Sequence, residues 1–169
     1  AGGIHRKYKV YPDIAVFAKS MANGYAMAAI LGVEKVMQAA QSTFISSTNW
    51  TDRVGPVAAL ATLKKYQREK VDVQITKTGN AVKSLWTIAA AKHGLKIHVT
   101  GIPSLAAFSF DNENAISLNT RFVIEMLKNG VLGFRQFKAS YAHDDRALDY
   151  YEAALDEVFG GLSNDLECL

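Results

Sequence analysis

One stretch decides the fold of this chain: Tyr11-Pro12-Asp13-Ile14-Ala15-Val16-Phe17-Ala18-Lys19-Ser20-Met21-Ala22-Asn23-Gly24. Its apolar run, residues 14–18, is too short for a helix and is bounded on both sides by turn-forming residues. The run therefore predicts a strand buried on both faces, as in the interior of a parallel sheet. Lys19 follows at the carboxyl end of this strand, where open α/β sheets place their ligands.

Two interpretations fit the position of Lys19. Burial or a nearby cation would disfavour the charged form of its amine and make it a nucleophile for a carbonyl carbon. The other interpretation is a solvated lysine that ends a strand and has no chemical role. The position alone favours the second.

The residues around Lys19 point to a family. Pro12-Asp13-Ile14, four further residues and Lys19 are followed by Ala28-Ala29-Ile30-Leu31-Gly32. This arrangement resembles the segment of class-III aminotransferases that carries the lysine for pyridoxal 5'-phosphate, and is most similar to the glutamate-1-semialdehyde aminomutase group. A second block, Ser47-Thr48-Asn49-Trp50-Thr51 with the Ala-rich residues 55–63, is similar to the family's Gly-Thr turn and the helix after it.

The resemblance implies roles for two residues. Lys19 would hold pyridoxal 5'-phosphate as an aldimine and, once released, carry the substrate's α-proton as acid and base. Thr48 would bind the cofactor phosphate across a subunit boundary, which implies a homodimer. The implied partners are a small-molecule amino donor and an amino acceptor.

The resemblance also implies an α/β fold, the C-terminal part of a fold type I enzyme. Residues 1–70 would end the large cofactor domain, and residues 71–169 would form the small α+β domain. The family's aspartate for the pyridine nitrogen lies further upstream of the lysine than this chain extends. We therefore expect an N-terminal half of the same enzyme to complete the site, and this chain alone to be inactive.

The reaction type stays open between aminotransferase and aminomutase. True aminomutases have a slightly longer stretch near Phe137, with a glutamate where Lys138 falls. A competing hypothesis from another class is a non-catalytic α/β domain, for interaction or ligand binding, derived from the same scaffold. A descendant without catalysis would have little reason to keep a lysine after the first strand.

Composition and charge narrow the classes of protein to which the chain could belong. The chain has 169 residues, enough for one ordinary domain or two small ones, and its 49% hydrophobic and 21% charged content indicates a globular protein. A net charge of +3 gives no indication of a nucleic-acid partner. The single cysteine, Cys168, excludes an internal disulfide and favours a reducing compartment. With no visible signal peptide or membrane span, we expect a cytoplasmic protein.

No metal site is expected from the four histidines, because their spacing suits none: His93 and His98 straddle Gly94 and cannot share a helix face. His143, just before the last helix, is interpreted as a structural capping residue that could also line a cleft.

Periodicity predicts the elements of the chain. A short strand is expected at Thr43–Ile45, and Asp52 is expected to cap a helix at 54–68. A helix that ends at Gly94, strands at 95–100 and 105–110, and a helix capped by Asn114 should follow. Short strands are predicted around 131–132 and 137–139. The final helix should begin at Asp144-Asp145 and bury Leu148, Tyr151, Leu155, Val158, Phe159 and Leu162.

Overall fold

The computed structural model describes residues 2–167, with side chains described to residue 164. The chain divides into two compact units, Ala1–Val71 and Asp72–Leu169. Cys168 lies outside the described residues. None of the helices at residues 2–167 combines the length and the apolar character needed to span a membrane.

The first unit contains three α-helices and two strands joined by short turns. In chain order these are α1 (Ile4–Lys7), β1 (Ile14–Phe17), a 3-10 turn (Lys19–Met21), β2 (Ala29–Gly32), α2 (Glu34–Met37), a 3-10 turn (Gln38–Ser42) and α3 (Val54–Arg68). The strand predicted at residues 43–45 is absent, and these residues are exposed loop.

The environment predicted for β1 is wrong for this chain. In the described residues β1 pairs only with β2, and the pairing is antiparallel, with Ile14 opposite Gly32 and Phe17 opposite Ala29. Val16 is 66% exposed and Ile14 is 47% exposed. A parallel sheet needs further strands and covering helices, and a two-stranded sheet supplies neither, so Ile14 and Val16 stay exposed while Ala15 and Phe17 are partly buried.

Helix α3 has the bounds that the sequence predicted. The carboxylate of Asp52 accepts a hydrogen bond from the Val54 N–H at 2.8 Å, but the N-cap residue is Arg53, one residue after the predicted one. Gly55 is buried close to Ala26 and Met27: a Cβ added there would lie 2.7 Å from the Ala26 carbonyl oxygen. A glycine therefore lets the start of α3 approach the chain that follows Lys19.

The second unit is an antiparallel sheet packed against three helices. In chain order its elements are α4 (Val71–Lys92), β3 (Ile97–Ile102), β4 (Leu105–Phe110), α5 (Ala115–Lys128), β5 (Gln136–Phe137) and α6 (Asp145–Glu167). The sheet order is β3-β4-β5, and both neighbouring pairs are antiparallel. The predicted strand at residues 131–132 does not form.

The core of the second unit is built around Phe108. Its ring centroid lies 4.9 Å from that of Trp86, 5.2 Å from that of Phe122 and 5.9 Å from that of Phe159. All four side chains are at most 2% exposed. Offset and edge-to-face aromatic contacts of this kind stabilise a core beyond the area they bury.

The apolar face predicted for α6 is confirmed. Five of its residues are buried and Leu148 packs against the core from its margin; the buried five are Tyr151, Leu155, Val158, Phe159 and Leu162.

Glycines follow the ends of α4 and α5, and the one after α4 was predicted. Gly94 has a φ of +67° and Gly130 a φ of +72°, the left-handed region that glycine enters without strain. After α4, the Leu95 N–H donates to the Ala90 carbonyl at 2.9 Å, which satisfies a carbonyl that would otherwise lack a partner.

The start of α5 differs from the expected cap. Asn114 makes no side-chain capping bond, and its own N–H donates instead to the Asn112 side chain at 2.8 Å.

Candidate functional site

Lys19 lies directly after β1 and opens the 3-10 turn Lys19–Met21. Ala18 before it is extended, whereas Lys19 itself has a φ of +56°. A non-glycine residue rarely adopts this left-handed conformation, and such residues concentrate at functional sites. The turn is followed by Ala22, which is fully buried.

The Lys19 side chain is exposed, and within residues 2–167 its amine has no hydrogen-bond or ion-pair partner. The dry pocket predicted for this amine is therefore not provided by this chain. The amine is accessible to a ligand from solvent.

Thr48 lies in an exposed turn just before α3. The turn is held by the Trp50 N–H, which donates to the Ser47 carbonyl at 3.2 Å, and by the Asp52 N–H, which donates to the Asn49 carbonyl at 3.2 Å. Neither the hydroxyl nor the N–H of Thr48 has a recorded partner among the described residues. These two donors beside the N-terminus of a helix suit an anion such as a phosphate.

Helix α3 adjoins both candidate segments. The Thr48 turn leads into its first residue, and the 3-10 turn that starts at Lys19 packs against its side. The sequence predicted the two residues, but nothing in it predicted the left-handed backbone of Lys19 or the contact of its turn with α3.

The second unit contains a groove of about 1170 Å³ that sequence reasoning missed. It is lined by residues 130–134, by residues 136–138 and by the start of α6 with the residues before it. His143 lines the groove: its Nδ1 accepts a hydrogen bond from the Ser140 N–H at 3.0 Å, and its ring packs 4.9 Å from Phe137. His143 thus closes the turn before α6, whereas the capping bond to α6 itself is made by Asp144, whose carboxylate accepts from the Ala147 N–H at 2.9 Å.

Tyr151 lies at the inner side of this groove and in the core. The indole N–H of Trp86 donates to its hydroxyl at 2.7 Å. Burial raises the pKa of Tyr151 to about 12, although the bond from Trp86 acts in the opposite direction. Tyr151 is therefore neutral under ordinary conditions and serves packing.

Two of the other histidines, His93 and His98, pair with carboxylates, those of Asp156 and Asp111. His93 Nε2 lies 2.8 Å from Asp156, and Lys92 donates to the same carboxylate at 2.7 Å. The bond from Lys92, followed by that from His93, holds the pKa of Asp156 below its usual value. Within residues 2–167 no three His, Cys, Asp or Glu side chains converge in a way that could hold a metal ion.

Comparison with known proteins gives a consistent result. The family model described as aminotransferase class-III matches residues 4–141. The chain is 29% identical to the 3-aminobutyryl-CoA aminotransferase of Cloacimonas acidaminovorans, an alignment that covers 92% of this chain and 39% of that protein. It is 24% identical to the glutamate-1-semialdehyde 2,1-aminomutase of Methanocaldococcus jannaschii, over 95% of this chain and 42% of the relative.

The fold recurs in solved structures. One is the PLP internal aldimine form of the Sphingopyxis sp. MTA144 FumI protein, with a TM-score of 0.90 at 24% identity over 98% of this chain and 40% of that one. The present chain thus spans about 40% of the length of the relatives it matches.

Proposed function

The chain belongs to the class-III aminotransferase family, and from that membership we propose that it is the C-terminal part of an enzyme that moves an amino group with pyridoxal 5'-phosphate. The observation that carries the proposal is the free amine of Lys19 at the end of β1, inside the segment that the family model matches. Residues 1–70 would then end the large cofactor domain, and residues 71–169 would form the small domain.

The residues present fit the cofactor. Lys19 offers an unpaired amine for an aldehyde carbon, and Thr48 offers a hydroxyl and an N–H for a phosphate. When bound, the cofactor supplies an electron sink for the charge left on a substrate carbon that loses its proton.

Lys19 would act twice in the reaction. Its Nζ first holds the cofactor, and after release the same amine takes a proton from the substrate carbon and returns it to the product. An amine already held beside the reacting carbon needs no further diffusion, which is a large part of the advantage of a bound base.

Thr48 would serve the phosphate of a cofactor held mainly by the other subunit, in an isologous homodimer. The exposure of residues 47–52 in a single chain supports this role.

The substrates would be a small-molecule amino donor and acceptor. The relatives' names include an aminotransferase for an acyl-CoA and an aminomutase for a semialdehyde, so both transfer between molecules and transfer within one molecule fall in the range of the family. Both reactions are therefore part of the proposal, and product analysis of the full-length enzyme distinguishes transfer between molecules from transfer within one molecule. A cytoplasmic location remains part of this proposal.

The 169-residue chain alone would not turn over substrate. It spans about 40% of the relatives' length, so groups that hold the cofactor ring are expected in the remainder. Preorganised electrostatic groups are usually the largest catalytic contribution, and a loosely held cofactor lacks them.

The test is amino transfer by the full-length enzyme and two lysine variants. We expect Lys19→Ala to lower turnover at least a thousandfold. Lys9→Ala is the matched control, because Lys9 is also an exposed lysine of the first unit with a left-handed backbone (φ +55°), and it should retain activity. Equal activity of the two variants would exclude Lys19 from the chemistry, and an unsubstituted full-length protein that transfers no amino group would favour the competing hypothesis, a non-catalytic interaction or ligand-binding domain.

A further inference from the structure

The three-stranded sheet of the second unit has an open edge at β5. The Phe108 N–H donates to the Arg135 carbonyl at 2.9 Å, and Ala106 lies opposite Phe137. Because bonded and non-bonded pairs alternate in antiparallel sheets, Arg135 and Phe137 face β4, whereas the N–H and C=O of Gln136 point outward. By the same alternation the backbone of Lys138 points outward, and within residues 2–167 neither residue has a recorded backbone partner.

This edge borders the groove of about 1170 Å³. Two large apolar side chains of the groove are left in solvent: Leu132 is 92% exposed and Phe134 is 49% exposed. Proteins usually shield an open edge with charge or with a covering element, because unpaired strand backbone and apolar surface together invite another chain. β5 is short and is flanked by Arg135 and Lys138, but these charges leave Leu132 and Phe134 beside it in solvent.

The other edge of the same sheet provides a contrast. Along β3 the Lys96 carbonyl is bonded to the Asp111 N–H at 2.8 Å, so the backbone groups of Ile97, Val99 and Gly101 point outward. There the Lys83 ammonium donates to the Gly101 carbonyl at 2.9 Å. A charged side chain therefore bonds an outward carbonyl of the β3 edge next to the hairpin turn, and in this respect the β3 edge differs from the β5 edge.

We propose that the groove receives an extended apolar polypeptide segment that pairs with β5 as a fourth strand. The segment would come from the part of the enzyme outside this chain, which rests on the proposed function. The outward donors and acceptors of Gln136 and Lys138 have the spacing that another strand satisfies. The groove also exceeds the usual 300–1,000 Å³ or so of small-molecule sites, and the relatives contain more than half of their length outside the matched region.

Hydrogen exchange of the full-length enzyme tests this inference. We expect the amides of Gln136 and Lys138 to exchange at least tenfold more slowly than the outward amides of Ile97 and Val99. Gln136→Pro removes one outward N–H and leaves the bonds to β4 in place, so it should raise exchange at Lys138 about tenfold. Gln136→Ala keeps that N–H and is the matched control, with exchange unchanged.

A photo-crosslinker in place of Leu132 gives a second reading that does not depend on the proline variant. It should attach to a peptide of the same enzyme outside the present 169 residues. Exchange at Gln136 and Lys138 as fast as at Ile97 and Val99, or cross-links only to a second copy of this chain, would overturn the inference.

The outcome is separable from that of the proposed function. An active enzyme that depends on Lys19 but has a freely exchanging β5 edge rejects the fourth strand alone. A protected edge in an enzyme indifferent to Lys19→Ala rejects the proposed catalysis alone.

Discussion

Lys19 combines a free amine with a backbone conformation that costs an L-residue roughly 1–2 kcal/mol. The surrounding contacts must supply that energy, and the packing of its turn against α3 is the available source. Lys9, Asn23 and Lys70 share this backbone conformation, so the conformation alone does not mark a reacting group. The sequence could predict where Lys19 lies, because an apolar run ends there, but the conformation depends on contacts with a helix more than thirty residues later.

Thr48→Ala should weaken cofactor binding to the full-length enzyme. The loss of one charge-assisted hydrogen bond is worth about 1.5–3 kcal/mol, or roughly a 10- to 150-fold increase in the dissociation constant. Thr51→Ala is the matched control, since Thr51 is an exposed threonine of the same turn. Cofactor titration followed by absorbance would contradict the assignment if the two variants bind equally well.

Tyr151 makes the stability of the second unit sensitive to alkaline pH. An unfolded tyrosine has a pKa near 10, whereas burial raises the pKa of Tyr151 to about 12. Because the folded pKa is the higher one, the unfolded state loses its proton first, and this contribution is complete below about pH 10 and is lost as pH rises toward about 12. The loss amounts to about 2–3 kcal/mol.

Urea unfolding of the full-length enzyme between pH 8 and 12, followed through the Trp86 region, measures this effect. Tyr151→Phe should remove that part of the pH dependence. Tyr150→Phe should retain it, because the neighbouring Tyr150 is exposed. If the free energy of unfolding of Tyr151→Phe fell with alkaline pH as steeply as that of the unsubstituted enzyme, the interpretation would be wrong.

At the scale of elements, α4 approaches the β3–β4 hairpin more closely than any side chain permits. Gly79 is buried in the middle of α4, and a Cβ added there would collide with the backbone of Pro103 at the hairpin turn. Glycine normally weakens a helix interior, so its presence here is explained by the close contact.

Gly79→Ala should therefore destabilise the second unit by about 1–3 kcal/mol through overpacking. Gly161→Ala is the matched control: Gly161 also lies inside a helix, but a Cβ there meets nothing within 4 Å. That substitution should be neutral or stabilise by up to about 1 kcal/mol. Urea unfolding measures the free energy of unfolding of both variants. A stabilised Gly79→Ala variant would show that the contact between α4 and the hairpin has room for a Cβ.

Elements stabilised by local signals could be predicted from the sequence. The Asp52 carboxylate bonds the first N–H of α3 from the residue before the N-cap, and Gly94 follows the end of α4; each acts on its own helix. Asn114 is the N-cap residue of α5 as predicted, but its side chain makes no capping bond, and the Asn112 side chain accepts from the Asn114 N–H instead. The pairing of β5 with β4 and the groove beside it depend on residues far apart in the chain, which no local pattern records.

At the scale of the whole molecule, the two units differ in how completely each buries its own apolar side chains. The second unit has a core of interlocking aromatic side chains, with Phe108 at its centre. In the first, strand β1 was predicted to be buried on both faces, yet its Val16 and Ile14 remain exposed. The apolar composition of β1 is that of a buried strand. Burial on both faces, however, requires further strands and covering helices, which a two-stranded sheet does not provide.

This difference agrees with a chain that spans about 40% of its relatives' length. The resemblance to class-III aminotransferases, first drawn from the residues around Lys19 and Thr48, is confirmed by the family match. The assignment of the two residues themselves, and of residues 1–70 to the cofactor domain, remains a prediction.

The most direct test of the central claim is to identify the residue that bonds the cofactor in the full-length enzyme. Borohydride reduction of the cofactor-loaded enzyme, followed by peptide mapping with mass spectrometry, fixes the label in place. We expect a pyridoxyl group on the Nζ of Lys19 and none on Lys9. A label on any other lysine, or an active enzyme with no labelled lysine, would contradict it.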